Sequence, residues 1–589
     1  MKSFFKYLLA TVIGIFISVL LLTFVFFGIV GSIINKQEKP VEIKPHSVLM
    51  LKLDKSIQDR KPVFPFGGFE FGKLQPEAKL GLNNILDNIQ KAKADTNIRG
   101  IYLDLSIVPA GIATLEEIRD ALLDFKKSGK FILSYSDTYL QSTYYLASVA
   151  DKIYLNPAGN FNFVGLSSQI MFFKGTLEKL GLQPEIIRHG KFKSAVEPLM
   201  YDKMSDANRE QIKAYVGSIW EKIVHDISVS RHISKDELNK LADNLSLNTA
   251  QSAVDYKLVD ATKFKDQVYD ELKSLSGIDS TASLKLVKLN TYDKVLKPKK
   301  YKGLARNKIA VIYASGDVVM GDEKQNNIGS EGIAGTIRKA RKDKSVKAIV
   351  FRVNSGGGSA LASEVIWREL DLARKEKPVI ASFGDVAASG GYFIACPADT
   401  IVAEPTTITG SIGVFGVLLN SKEFLNKKLG ITVDVYKTNN YSDFGSVFRP
   451  MSPLERQYFQ ISIDTFYNTF ISHVAEGRGM EKSAVDHIGE GRVWSGINAK
   501  QIGLIDVFGG LTKAINIAKE KAGLENYRIE ELPKQEDPFQ QLMKQLSEEM
   551  KVKILSNELG SSYKYFKFLK NIESYNGVQA RLPYEISIY

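Results

Sequence analysis

The chain contains itself twice. "NIRGIYLDLS" (Asn97–Ser106) lies over "SVKAIVFRVN" (Ser345–Asn354) at a displacement of 248 residues (345 − 97). The same displacement sets "YYLASVADKIYLNP" (Tyr144–Pro157) over "YFIACPADTIVAEP" (Tyr392–Pro405). Further on, "LEKLGLQPEII" resembles "LNKKLGITVDV" with a one-residue slip, and "KLVDATKF" matches "GLIDVFGG". Chance similarity would not keep one offset across separate strands and helices, so the chain holds two copies of one domain. A length of 589 residues agrees, because a single core seldom grows past about 250–300 residues.

Each copy alternates strand-like runs with amphipathic stretches. The runs are Val48–Leu53, Ile101–Leu105 and Phe131–Tyr135, then Ile309–Tyr313, Ala348–Val353 and Val379–Phe383. "ATLEEIRDALLDFKKS" and "SALASEVIWRELDLARKE" fill equivalent slots at helical spacing. Repeated βαβ units predict an α/β fold with largely parallel sheets. The expected boundaries are a first repeat over 47–290, a basic linker over 291–306, a second repeat over 307–525 and a C-terminal extension over 526–589. The extension has no visible counterpart in the first copy, and its "PFQQLMKQLSEEMKVKIL" reads as helix.

The copies differ where chemistry is expected. Ser389, in "GDVAASGGYFI", falls over Gln141. The loop "NSGGGS" (Asn354–Ser359) falls over "SIVPAG" (Ser106–Gly111), which has lost the glycine run, and Ser411 falls over Phe163. Conversely, Lys193 of "GKFKSAVEP" falls over Tyr441 or Ser442, depending on where the slip is placed. Each half is deficient alone, which suggests one site built from both.

A serine needs a base to attack a carbonyl, and acyl transfer needs donors for the oxyanion. Glycines after a strand can expose backbone N–H groups, but the same loop could be a plain turn or a phosphate cradle. There is no GxxxxGK[ST] and no GxGxxG with a following acidic ribose ligand, which argues against nucleotide binding. No histidine lies between His232 and His473, and His189 is the tempting one because it is four residues from Lys193. A lysine serves as base only when neutral, and burial among apolar groups can make it so. The six histidines are scattered and Cys396 is the single cysteine, so no metal site is expected and no intrachain disulfide is possible.

Tyr7 to Ile34 carries no charge and follows Lys2 and Lys6. A bilayer crossing takes about 20 apolar residues. The run is too long for a signal-peptide core, and no clear Ala-x-Ala follows it. It predicts an uncleaved anchor over 7–34, with residues 1–6 in the cytoplasm and the bulk exported. The net charge of +12 comes without a nucleic-acid motif, and a surface near anionic lipid accounts for it.

Taken together, "GKFKSAVEP", "AASGGYF" and "TITGSIGVFG" resemble the signal peptide peptidase A family in its long, protease IV form. The resemblance spans nearly the whole chain. It implies an N-terminal transmembrane anchor, two tandem Clp-protease-like (crotonase-type) domains and a Ser–Lys serine endopeptidase without a cofactor. By resemblance Ser389 is the nucleophile, Lys193 the general base and Ser411 the residue holding the lysine. Gly390 and Gly358 would supply the oxyanion amides. The usual "NSPGG" reads "NSGGG" here, so Gly356 replaces a proline. That loosens the loop without removing a donor, because proline has no N–H.

The family forms a bowl-shaped tetramer outside the cytoplasmic membrane and digests spent signal peptides. The resemblance therefore implies a homotetramer, apolar peptide substrates and a periplasmic face of the bacterial inner membrane. Two other readings stay open on the residues. One is a crotonase-like acyl-CoA enzyme; the other is a non-catalytic membrane scaffold.

Overall fold

A computed structural model describes residues 2–34, 41–61, 79–296, 305–322, 327–535 and 577–582. Each copy builds one sheet. In the first, the order is Ala261–Thr262, Lys152–Phe161, Phe131–Tyr139, Ile98–Asp104, Ser47–Leu51 and Leu286–Lys288, all neighbours parallel. In the second, Val379–Ala388 and Val346–Ser355 are central, followed by Lys308–Ser315 and Arg528–Leu532, again parallel. On the other side of Val379–Ala388 lie Thr400–Ala403 and Ile408–Gly410, which together stand where Lys152–Phe161 stands in the first copy.

The sheet strands read as continuous apolar runs because helices cover both faces. Ile101, Leu103, Ile349, Phe351, Ile380 and Ala381 are all fully buried. Helices Ile112–Lys126 and Ala360–Arg374 occupy the equivalent slots predicted for them.

Two features depart from the sequence reading. The sheet of the second copy runs past residue 525, because Arg528–Leu532 pairs in register with Lys308–Ile312. Its counterpart in the first copy is Leu286–Lys288, paired with Val48–Met50. Both are short, partly exposed edge strands, which leave little periodicity to detect. The chain after residue 288 also folds back, as the turn of helix Leu289–Tyr292 with Tyr292 fully buried. The helix expected over "PFQQLMKQLSEEMKVKIL" lies outside the described residues.

A third, smaller sheet crosses between the copies. Its order is Asn327–Gly329, Asp317–Val319, Gly357–Ser359, Gly577–Arg581, Phe415–Asn420 and Gln183–Arg188. The last strand belongs to the first copy, and its whole length pairs antiparallel with Phe415–Asn420 of the second.

Residues Lys2–Ile34 form one uninterrupted helix. Its side chains are described without a break only from Lys6 to Leu21, and all of these are exposed. Among the described residues no helix is long and apolar enough to cross a membrane.

Candidate active site

Ser389 ends the long central strand Val379–Ala388 and begins the short helix Gly390–Ala395. Its backbone sits at φ 55° and ψ −119°, a conformation disfavoured for a residue with a side chain and typical of strained functional turns. Its own N–H donates to the Gly410 carbonyl at 2.8 Å, which fixes the turn to the neighbouring strand. Ser411, next along that strand, is also left-handed at φ 50°.

Lys193 arrives from the first copy. It precedes the short 3-10 turn Ser194–Val196, and its Nζ lies 2.8 Å from Ser389 Oγ. The same nitrogen reaches Ser411 Oγ at 3.0 Å and the Ser411 carbonyl at 3.1 Å. Lys193, Ser389 and Ser411 are all fully buried. Burial holds the lysine well below its usual pKa, since desolvation penalises the ammonium form. A neutral amine has two N–H groups and one lone pair. Donating both to Ser411 leaves the lone pair facing the Ser389 hydroxyl, the geometry of a general base.

The nearby acid is held elsewhere. Glu197 is fully buried but accepts from Ser205 Oγ at 2.5 Å and Asn208 Nδ2 at 2.9 Å, with Arg188 3.9 Å away. His189 stands apart from the serine: it stacks on Tyr467 and contacts Asp464 through Nδ1 at 2.7 Å.

Close approach of backbone makes the lysine pocket possible. Gly491, at φ 80°, leaves so little room that a Cβ there would lie 2.6 Å from Lys193 Cβ. Beside the serine, Gly357–Ser359 forms a short strand in which Gly358 pairs with Val318. A Cβ on Gly358 would lie 2.1 Å from the Val318 carbonyl oxygen. Gly357 in turn closes on Gly390: a Cβ built on Gly357 would stand 2.6 Å from the Gly390 nitrogen. The glycine strand and the start of the serine helix thus share one small space.

Among the described residues the first copy has no equivalent site. Gln141 is buried and turned into its own loop, accepting from the Gly165 N–H at 2.9 Å. Phe163 fills the place of Ser411 and packs on Trp220. In the second copy, Tyr441 is exposed and Ser442 hydrogen-bonds locally to Asn439, so neither stands in for the lysine.

The profile of peptidase family S49 matches residues 124–279 and 371–525, once in each copy. "Protease 4" of Salmonella typhi is 40% identical over 458 residues, covering 76% of this chain and 73% of that protein.

The chain belongs to peptidase family S49.

"Protease 4" of Haemophilus influenzae is 34% identical over 523 residues, covering 86% of this chain and 85% of its own. "Serine protease SPPA, chloroplastic" of Arabidopsis thaliana is 34% identical over 450 residues, covering 76% and 66%. This S49 member is accordingly a serine peptidase. Solved structures resemble it only loosely: a ClpP1 variant from Listeria monocytogenes covers 35% of this chain and 94% of its own at 13% identity, with a TM-score of 0.24.

Sequence reasoning missed the parts of this S49 peptidase that join the copies around the site. Gln211 is fully buried; its Nε2 donates to Ser194 Oγ at 2.8 Å and the Phe192 carbonyl at 3.1 Å. Its Oε1 accepts from Val493 N–H of the second copy at 3.0 Å, so one side chain ties the lysine turn to the opposite domain. Asp385, four residues before the serine, accepts from Thr114 N–H at 2.9 Å and Thr114 Oγ1 at 2.7 Å. Gln211 left no signal in a helix of mixed polarity. Asp385 did, standing inside the small-residue stretch around the serine. Among the described residues no cluster of His, Cys, Asp and Glu could hold a metal ion.

Proposed function

We propose that this S49 peptidase is a membrane-anchored endopeptidase in which Ser389 is the nucleophile, Lys193 the general base and Ser411 the residue that positions the lysine. The observation that carries the reading is the buried 2.8 Å contact between Lys193 Nζ and Ser389 Oγ. Neutral Lys193 takes the serine proton as Oγ attacks a peptide carbonyl, then returns it to the departing amine. The Gly390 and Gly358 amides would stabilise the oxyanion, a contribution worth roughly 2.7–4 kcal/mol per donor in other enzymes.

The proposed substrates are cleaved signal peptides at the cytoplasmic membrane. The anchor is supported by the sequence alone: the run Tyr7–Ile34 carries no charge, and a bilayer crossing takes about 20 apolar residues. Lys2 and Lys6 before it favour a cytoplasmic N-terminus and catalytic domains on the periplasmic side. The domain boundaries of the sequence reading are kept, with the second repeat extended through Leu532.

A homotetramer is proposed for the assembled enzyme, supported by an uncovered apolar run. Ile431, Val433, Val435 and Tyr436 are 46–93% exposed, although the first-copy counterparts of the last three lie in the paired strand Gln183–Arg188.

The test is hydrolysis of an apolar peptide by the detergent-solubilised full chain. Ser389→Ala and Lys193→Ala should each lose at least about a thousandfold in kcat/KM, whereas His189→Ala should stay within about twofold. A dead His189→Ala variant beside an active Lys193→Ala variant sinks the dyad.

A further inference from the structure

We propose that a cleft between the two copies is a binding site for an aliphatic amine, whose ammonium group pairs with Glu404 of the second copy and Asp120 of the first. None of Lys193, Ser389 and Ser411 lines that cleft, and the proposal does not depend on their roles.

The cleft has a volume of about 1420 Å³, above the roughly 300–1,000 Å³ of most small-molecule pockets. Helices Leu82–Ala94 and Ile112–Lys126 of the first copy contribute one wall. Helix Leu511–Lys521 of the second copy, with the residues leading into it, contributes the other. Leu86, Ala121 and Ile515 give these walls apolar surface from both copies. An elongated ligand with an aliphatic stem suits such walls, provided its charge is met elsewhere in the cleft.

Glu404 marks where that charge goes. It follows strand Thr400–Ala403, lines the cleft and is only 2% exposed, yet its Oε1 has no hydrogen-bond partner among the described residues. A buried carboxylate left alone is costly, and native structures seldom keep one without a use. The acids beside it are already taken. Glu117 lies 2.6 Å from Arg352 and accepts from the Leu511 N–H at 2.8 Å, while Glu116 accepts from Thr406 and pairs with Lys222. Burial and the carboxylates of Glu116, Glu117 and Asp120, opposed by Arg352, make Glu404 hold its proton. It gains full charge when a cation arrives. The first copy carries neutral Asn156 at the equivalent place.

The cleft's own cations are engaged or solvated. Arg60 pairs with Glu531, Lys61 with Asp293 and Lys93 with Asp124, while Lys513 and Arg528 are exposed. Asp120, one helical turn on from Glu117, lines the cleft and is exposed, so it can meet a ligand entering from water. Among the described residues no carboxylate cluster suits a metal ion. An ammonium group asks only for acceptors around its three N–H donors. A ligand held by Glu404 and Asp120 joins the two copies and binds only while they are docked, so it stabilises that arrangement.

Calorimetric titration of the detergent-solubilised full chain with spermidine, a linear triamine, tests this at fixed ionic strength, alongside thermal unfolding. Wild type should bind saturably, and its Tm should rise with spermidine concentration. Glu404→Gln and Asp120→Lys should each weaken binding by at least about tenfold, and Mg²⁺ should not reproduce the Tm rise. Asp120→Lys alters an exposed side chain, so it decides alone if Glu404→Gln fails to fold. Absence of saturable binding, or a loss smaller than about tenfold in either folded variant, overturns the proposal. An equal Tm rise with Mg²⁺ overturns it too.

Discussion

Burial lowers the pKa of Lys193 well below the ordinary lysine value, with consequences for rate and stability that run together. Only the neutral amine accepts the serine proton, so kcat/KM should rise with pH through a pKa below the ordinary lysine value of about 10.4. A pH–rate profile checks this; a rise only above pH 10 contradicts it. For stability, the unfolded lysine binds a proton that the folded one resists. The folded chain is therefore penalised below the unfolded pKa, and the penalty fades as pH rises towards it. Lys193→Met should accordingly be inactive yet more stable at pH 7, with a higher Tm whose advantage shrinks towards pH 10. That Ser389 and Lys193 meet was legible because the two copies lack complementary residues. The burial of Lys193 was not, because it depends on Gly491 from the far copy, whose own sequence shows only a glycine in a turn.

Helices and strands add a second level of dependence. Helix Asp206–Arg231 carries Gln211 between the lysine turn and Val493–Ser495, and removing a buried hydrogen-bonding partner costs about 1–3 kcal/mol. Gln211→Ala should thus lower stability by that amount and reduce kcat more than it changes KM, because the lysine loses its fixed place. Gln211→Glu, keeping the acceptor, should recover part of the stability but not the pH profile. Urea unfolding with steady-state kinetics separates these effects. The central strands of both sheets were readable from their apolar runs and from the repeat. Gln183–Arg188 was not readable as a strand of the other copy's sheet, since it is only six residues long and its register is set by a partner more than two hundred positions away. Gly577–Arg581 escaped for the same reason.

At the scale of the whole molecule, the two copies are locked by buried charge. Arg352 is fully buried and pairs with Asp59 at 2.7 Å and Glu117 at 2.6 Å, both from the first copy. Glu116 accepts from Thr406 Oγ1 at 2.6 Å across the same boundary. Glu404 faces this carboxylate group, and burial together with Glu116, Glu117 and Asp120 pushes its pKa well above the usual value. A carboxyl whose folded pKa is raised keeps its proton longer than in the unfolded chain, so it weakens the fold as pH rises above the unfolded value. Glu404→Gln should therefore raise Tm at pH 8 and gain little near pH 4; equal gains at both would contradict the assignment. In the proposed homotetramer, the repeat offsets would transfer the pairing of Phe415 with Arg188 to a contact between chains, with Val433 facing Met171 of a second copy. Both are exposed. The double variant Val433→Cys with Met171→Cys should form chain-to-chain disulfides under oxidation, and each single variant should not.

Under the proposed assembly, the exposed run Ile431–Tyr436 would also set what kind of object many chains can make. In the proposed assembly each chain would offer this run to the stretch around Met171 of the next, so two chains joined this way would still leave one of each unused. Such head-to-tail joining never finishes by pairing off; it either runs on as a filament or bends back until the last chain meets the first. In the proposed ring, the tilt between the two copies inside a single chain, held by the Arg352 and Gln211 contacts, would also be the angle that decides how many chains complete the circle.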